Sequence, residues 1–221
     1  MSEGVVRFAR VTDVDVAGPG GTELLGPAEL ARLARLRHPE DRAAYRAAHV
    51  LVRRCAAALL DVDVADLVLH QECPGCGGTG HGRPVLAGLP GVGLALSHSR
   101  AHVAAAAAHG RCGVDVEDLP GERVPDRVLA PAERDWLDRG AGAEDPGAGL
   151  RLWVRKEALV KAGAAELADA VTLDLMDTAV DAADAGGRLR EHAHGLALGE
   201  WRTADAVGAW AVPPGTRVSR G

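Results

Sequence analysis

Lysine is nearly absent from this chain. Of its 25 basic residues only two are lysine, Lys156 and Lys161, and both fall in one short segment, WVRKEALVKAGA. Long apolar runs are missing too: none approaches the roughly 18–20 residues that cross a bilayer as a helix, which argues against a membrane partner. The opening MSEGVVRFAR lacks a basic start followed by an apolar stretch, so no secretory leader is expected. Four cysteines in 221 residues are too sparse for a disulfide scaffold, and the expectation is reduced thiols and a cytoplasmic location. The formal net charge of −6 argues against nucleic-acid binding by the whole surface.

What is present describes an ordinary globular protein, 47% hydrophobic and 25% charged, long enough for one large domain or two small ones. VVRFAR reads as an opening strand. GPAELARLARL places Pro27 at a helix start with leucines at helical spacing, and PEDRAAYRAAHVLVRRCAAALL reads as a longer helix with acids in its first turn. A Gly- and Cys-rich loop, HQECPGCGGTGHGRP, precedes two strands, VGLALSHS and HVAAAAAHG. CGVDVEDL opens the second half as a strand. Helices follow at PAERDWLDRG and LRLWVRKEALVKAGA, with GAGAEDPGAG between them as a flexible loop. VTLDLM, RLREHAHGLALGEW and AVGAWAV read as short antiparallel strands, and PPGTRVSRG as a frayed tail. The expected fold class is therefore α+β, as two similar subdomains, 1–111 and 112–221, packed together.

Two carboxylates stand on one face of the strand GVDVE. Side chains alternate along a strand, so Val114 and Val116 point one way while Asp115 and Glu117 point the other, roughly 7 Å apart. Forty residues later a third acid, Glu157, sits on a helix whose face also carries Trp153 and Lys161, while Lys156 lies about 100° round from Glu157. Three carboxylates brought together make a hard oxygen site suited to Mg2+, which is commonly completed by phosphate oxygens. The bland alternative is a solvent-facing strand and a Glu157–Lys161 surface pair. It leaves the confinement of lysine to this helix unexplained, and lysine differs from arginine in being a point charge able to shift its pKa.

Three further features carry alternatives. Ser97 and His98 in SHS cannot be a nucleophile–base pair, because neighbours on an extended chain point apart, but they can offer donors to an anion. Seven arginines between Arg32 and Arg54 face only Glu40 and Asp41, a local balance of +5 that reads either as a solvated helix or as an anion-binding edge. Cys73 and Cys76, with His70 and His81 nearby, suit a tetrahedral zinc site bracing the loop. Cys55 and Cys112 read as small buried hydrophobes.

With GRP, LSHS, GVDVE and WVRKEALVKAGA in this order, the chain resembles the 4′-phosphopantetheinyl transferases of the single-chain, surfactin-synthetase-activating (Sfp) type, from the Arg-rich helix to about residue 176. The resemblance implies two subdomains in pseudo-two-fold arrangement, usually as a monomer. It implies transfer of the phosphopantetheine arm of coenzyme A to a serine of an apo acyl or peptidyl carrier protein, releasing adenosine 3′,5′-bisphosphate. Asp115, Glu117 and Glu157 would hold Mg2+. Arg83 and Pro84 would contact the nucleotide, Ser97 and His98 the nucleotide and its 3′-phosphate, and Arg32 that phosphate. Lys156 and Lys161 would flank the pyrophosphate, with Glu157 accepting the serine proton. Where several family members carry a further lysine this chain has Glu29, so Arg35, Arg42 or Arg46 would substitute. The single-chain form favours specialised metabolism, polyketide or nonribosomal-peptide synthesis. Competing readings are another Mg2+-dependent phosphotransferase or phosphohydrolase acting on a nucleotide, a non-catalytic carrier-binding module, and a zinc-stabilised interaction protein.

Overall fold

The computed structural model describes residues 2–18, 20–73, 75–121, 124–139, 141–177 and 188–220. In chain order the strands are β1 (Glu3–Arg10), β2 (Leu69–Glu72), β3 (Arg83–Leu86), β4 (Val92–His98), β5 (His102–His109), β6 (Gly113–Asp118), β7 (Met176–Asp177), β8 (Arg188–Leu189), β9 (His192–Ala193), β10 (Leu196–Arg202), β11 (Ala206–Val212) and β12 (Arg217–Arg220). The α-helices are α1 (Pro27–Arg35), α2 (Pro39–Leu60), α3 (Pro131–Arg139) and α4 (Ala148–Lys161).

Two four-stranded sheets form the body, ordered β12-β1-β5-β4 and β6-β11-β10-β9. Hydrophobic contacts define four layers. On one side α2 covers the first sheet, packing Val50, Leu51 and Cys55 against Val5, Leu94, Ala105 and Ala107. The opposite face of that sheet (Val6, Ala104, Ala106, Ala108) meets Val114, Val116 and Trp210 of the second. The far face of the second sheet (Leu198, Val207, Ala209) is covered by α4 through Leu152, Val154 and Leu159. The alanine run of β5 is explained by this sandwich: every residue from His102 to Ala108 is buried, and only small side chains let a helix and a second sheet approach the same strand from both sides.

Helix α2 begins with Pro39 at its first turn, with Glu40 and Asp41 complementing the positive end of the helix, and stops at Asp61 in the left-handed region. Helix α1 is pinned to it by a buried charge cluster as well as by Leu33. The Glu29 carboxylate accepts from His49 Nδ1 at 2.5 Å and from Arg53 Nη2 at 2.6 Å, all three groups buried, and reaches back to the Gly26 N–H at 2.7 Å.

Three segments differ from their reading in the sequence. The supposed frayed tail contains β12, which pairs in parallel with β1 from Glu3↔Arg217 to Val6↔Arg220. The end of the chain thus returns to the first sheet. VTLDLM is not a strand along its length: Val171 and Thr172 end a 3-10 turn, Leu167–Thr172, and only Met176 enters the two-residue β7. The loop after α3 is anchored, because Asp145 accepts from the Gly147 N–H at 2.9 Å and from both terminal nitrogens of Arg202 at 2.8 Å. Among the described residues no helix is long and apolar enough to cross a membrane.

Candidate active site

Strands β4 and β6 are edge strands of different sheets, and the candidate site lies where they meet beneath α4. Gly113 makes this possible. A Cβ there would stand 1.8 Å from the Ala158 carbonyl oxygen, so only glycine lets α4 lie directly on the start of β6. The helix runs back along the strand, bringing Lys161 over Asp115 and Trp153 to Glu117. As the alternation predicts, Val114 and Val116 pack between the sheets while Asp115 and Glu117 face α4.

Asp115 is the centre. It is 3% exposed, and its Oδ1 accepts from Ser97 Oγ at 2.6 Å and from Lys161 Nζ at 2.5 Å, while Lys161 also donates to Ser97 Oγ at 2.9 Å. Its second oxygen, Oδ2, is buried with no hydrogen-bond partner. An orphaned carboxylate oxygen inside a protein is costly unless something cationic reaches it. Burial, and then the Asp115 charge, pushes the Glu117 carboxyl up to about 7, against Lys161 and the Trp153 indole that donates to it. Burial and Asp115 likewise push Glu157 up, with Lys161 opposing. The three acids therefore crowd one another, and one ammonium only partly relieves them.

The acids share a charge that a cation would relieve, but not the close spacing of a formed metal site. Among the described residues, the group of possible metal ligands whose atoms all lie within 4.8 Å of one another is Cys73, Cys76 and His81. The acids are wider apart, with the Lys161 ammonium seated on Asp115. The donor chemistry nevertheless suits Mg2+, which takes one or two carboxylates and keeps its remaining positions for water and phosphate oxygens.

The other residues singled out in the sequence divide sharply. Ser97 joins the site, and His98, its neighbour on β4, has an exposed surface yet sits near enough for Lys161 and Asp115 to act on its ring, which burial above all holds below the ordinary imidazole pKa. Arg83 is exposed at the start of β3, and its Nη2 donates to the Val160 carbonyl at 3.3 Å, which sets it against the end of α4 next to Lys161. Pro84 is buried behind it. Arg32 is exposed on α1 and makes no hydrogen bond among the described residues. Within the basic stripe, Arg42, Arg53 and Arg54 are committed to Leu36 and Arg37 carbonyls, to Glu29 and to the Asp15 carbonyl. Arg32, Arg35 and Arg37 stand exposed. Glu29 holds α1 to α2. Burial raises its pKa, but the bonds from His49 and Arg53 prevail and hold it down at about 2.

Lys156 is a correction. The resemblance implies a phosphate contact, yet the side chain is 1% exposed and turned into the second core. Its Nζ donates to Glu133 Oε2 at 2.6 Å and to the Val128 and Ala170 carbonyls at 2.7 Å each, which fills all three N–H positions. No donor is left for a phosphate.

Glu133 was missed by sequence reasoning, although its signal is present: Pro131 followed by an acid at the third helical position is a helix-start pattern. Glu133 accordingly accepts from the Ala130 N–H at 2.7 Å, and from the Leu175 N–H at 3.0 Å. Asp118 was missed as well. It ties the β4–β5 turn to β6 by accepting from Ser99 Oγ at 2.8 Å, the Ala101 N–H at 2.9 Å and His102 Nδ1 at 2.7 Å.

Residues 111–212 match the family model described as the 4′-phosphopantetheinyl transferase superfamily. That segment is similar to a transferase superfamily. The match spans a little under half of the chain. It includes all three acids and both lysines, whereas Arg32, Arg83, Pro84, Ser97 and His98 lie outside it. No curated protein matches the chain.

Proposed function

We propose that this protein transfers the 4′-phosphopantetheine arm of coenzyme A to a serine of an apo carrier protein, with Mg2+ held by Asp115, Glu117 and Glu157. The observation that carries the reading is the buried Asp115, with one oxygen bound by Ser97 and Lys161 and the other without a partner, between two carboxylates whose charges it opposes. A bound Mg2+ supplies neutralisation of the pyrophosphate charge.

The protein's own residues do the rest by placement. The carrier serine oxygen bonds to the phosphorus bearing pantetheine, the bond from that phosphorus to adenosine 3′,5′-bisphosphate breaks, and the serine proton passes to Glu157. Burial and the Asp115 charge raise the affinity of Glu157 for a proton, the direction a general base requires. Lys161, still 30% exposed while paired with Asp115, offsets charge on the departing bisphosphate. Arg83, on the small β2–β3 sheet, and Ser97, on the first sheet, line the approach from the first half, and the exposed arginines of α1 and its following turn (Arg32, Arg35, Arg37) are placed for the 3′-phosphate or an acidic carrier helix. A groove of about 410 Å3 bounded by Arg127, Val128, Trp153, Ala168, Ala170 and Val171 opens beside the Trp153–Glu117 contact and offers room for the pantetheine arm. In this reading the two halves, 1–111 and 112–221, stand in pseudo-two-fold relation, each with a long helix on a sheet and with β12 of the second half completing the first half's sheet; a monomer suffices, and the carrier belongs to polyketide or nonribosomal-peptide synthesis.

The test is to incubate the protein with coenzyme A, Mg2+ and an apo carrier, then weigh the carrier. A gain of one phosphopantetheine arm is expected. An unchanged carrier while nucleotide phosphate is released would favour a phosphohydrolase instead.

A further inference from the structure

The Cys-bearing loop between β2 and β3 plays no part in the transfer described above, yet it is built with more care than a surface connection requires. Cys73 Sγ, Cys76 Sγ and a ring nitrogen of His81 converge within 4.8 Å of one another, with Cys76 Sγ 3.3 Å from His81 Nε2. The backbone closes a tight knuckle around the sulfurs. The Cys73 N–H donates to the Gly78 carbonyl at 2.9 Å, the Gly77 N–H to the Cys73 carbonyl at 2.8 Å, and the Gly78 N–H to Cys76 Sγ at 3.4 Å. Gly82 then turns the chain at φ +98, where a Cβ would meet the Glu72 carbonyl oxygen at 2.2 Å, so the loop presses directly on the end of β2. All four cysteines are free thiols, these two included.

We propose that Cys73, Cys76 and His81 bind one zinc ion, with solvent in the fourth position, and that this ion holds β3 so that Arg83 stays against the end of α4. Two thiolates and an imidazole select a borderline-soft ion over Mg2+, and an iron–sulfur cluster takes four cysteines, more than this loop offers. Bond lengths near 2.3 Å to sulfur and 2.1 Å to nitrogen at a tetrahedral angle set the donors about 3.6 Å apart, close to the spacing already present. His70 is not a ligand. It sits on β2 with Nε2 2.8 Å from Glu72 Oε1.

The consequence follows from the connection. Gly82 and Arg83 come directly after His81, and the Arg83 guanidinium lies over Gly163 and the Val160 carbonyl at the end of α4. A metal clip thus sets where the first half touches the helix that carries Glu157 and Lys161. The zinc site stands without the transferase reading; only the role of Arg83 in holding nucleotide rests on it.

The test begins with metal content. Full-length protein purified from zinc-containing medium is expected to hold one zinc per chain, as is His70→Ala. Cys73→Ser, Cys76→Ser and His81→Ala are expected to lose it. Cobalt loaded in place of zinc should give thiolate-to-metal absorption in the wild type and not in the cysteine variants. Wild-type protein stripped with a chelator covers the case of a variant that fails to fold. It should retain its far-ultraviolet spectrum, be cut faster by protease within 73–82, and show a several-fold higher KM for coenzyme A at similar kcat. Wild-type protein that binds no zinc, with Cys73 and Cys76 found joined as a disulfide or freely reactive, overturns the site. Loss of zinc in His70→Ala overturns the ligand set, and unchanged proteolysis after stripping overturns the bracing role. Because metal content and proteolysis are read without a carrier, they stand or fall apart from the transfer assay.

Discussion

Two lysines five residues apart on α4 occupy opposite kinds of site. Around Lys156, charge is closed: every donor is filled, and Glu133, 0% exposed, also accepts from the backbone at the start of its own helix and at Leu175. Around Lys161, charge is open: the ammonium is partly exposed, Asp115 keeps an unpaired oxygen, and two more acids press on it. The difference teaches how to tell a structural ion pair from a working one. A structural pair is saturated, whereas a working one leaves donors or acceptors free for a ligand.

The sharpest way to break this comparison is Lys156→Met. It leaves Glu133 buried without its cation, a change that costs about 3–5 kcal/mol of stability. A lowered denaturant midpoint is expected, partly restored by adding Glu133→Gln. A variant as stable as the wild type but inactive in transfer would return Lys156 to the site. At the other lysine's partner, Asp115→Asn keeps the shape and removes the charge. Losing several kcal/mol of transition-state stabilisation lowers the transfer rate on the order of a thousandfold, with the thermal midpoint near that of the wild type. A large loss of stability instead would make Asp115 another closed pair.

The first half supplies a third case. Glu29 is closed like Lys156, its pKa held at about 2 against an ordinary 4.5. A carboxylate depressed by folding stabilises fully above its unfolded value, and that contribution fades as pH falls from about 4.5 toward 2. It amounts to about 3 kcal/mol. Acid titration of stability should show this loss, and Glu29→Gln should flatten it. The smallest effect expected is from Lys161→Met, a fall in transfer of about ten- to a hundredfold with an unchanged fold.

Much of this was legible in the sequence. The alternation in GVDVE placed Asp115 and Glu117 on one face, and the helical spacing of Trp153, Glu157 and Lys161 aimed that face at them. The same geometry already set Lys156 about 100° away from Glu157, but its partner could not be read, because Glu133 reaches it only through the tertiary packing of α3. β12 was invisible for a related reason. A short polar strand pairing in parallel with the far end of the chain has no periodicity of its own, and its ladder depends on where β1 lies. The Cys-rich loop announced its ligand types, yet only the turn geometry separates His81 from His70.

The measurement that bears most directly on the account compares wild type with Glu157→Gln for transfer to an apo carrier, by carrier mass, with both proteins verified as folded. The account predicts that the wild type adds one phosphopantetheine arm and that Glu157→Gln leaves the carrier at its starting mass. Equal modification by the two proteins would contradict it.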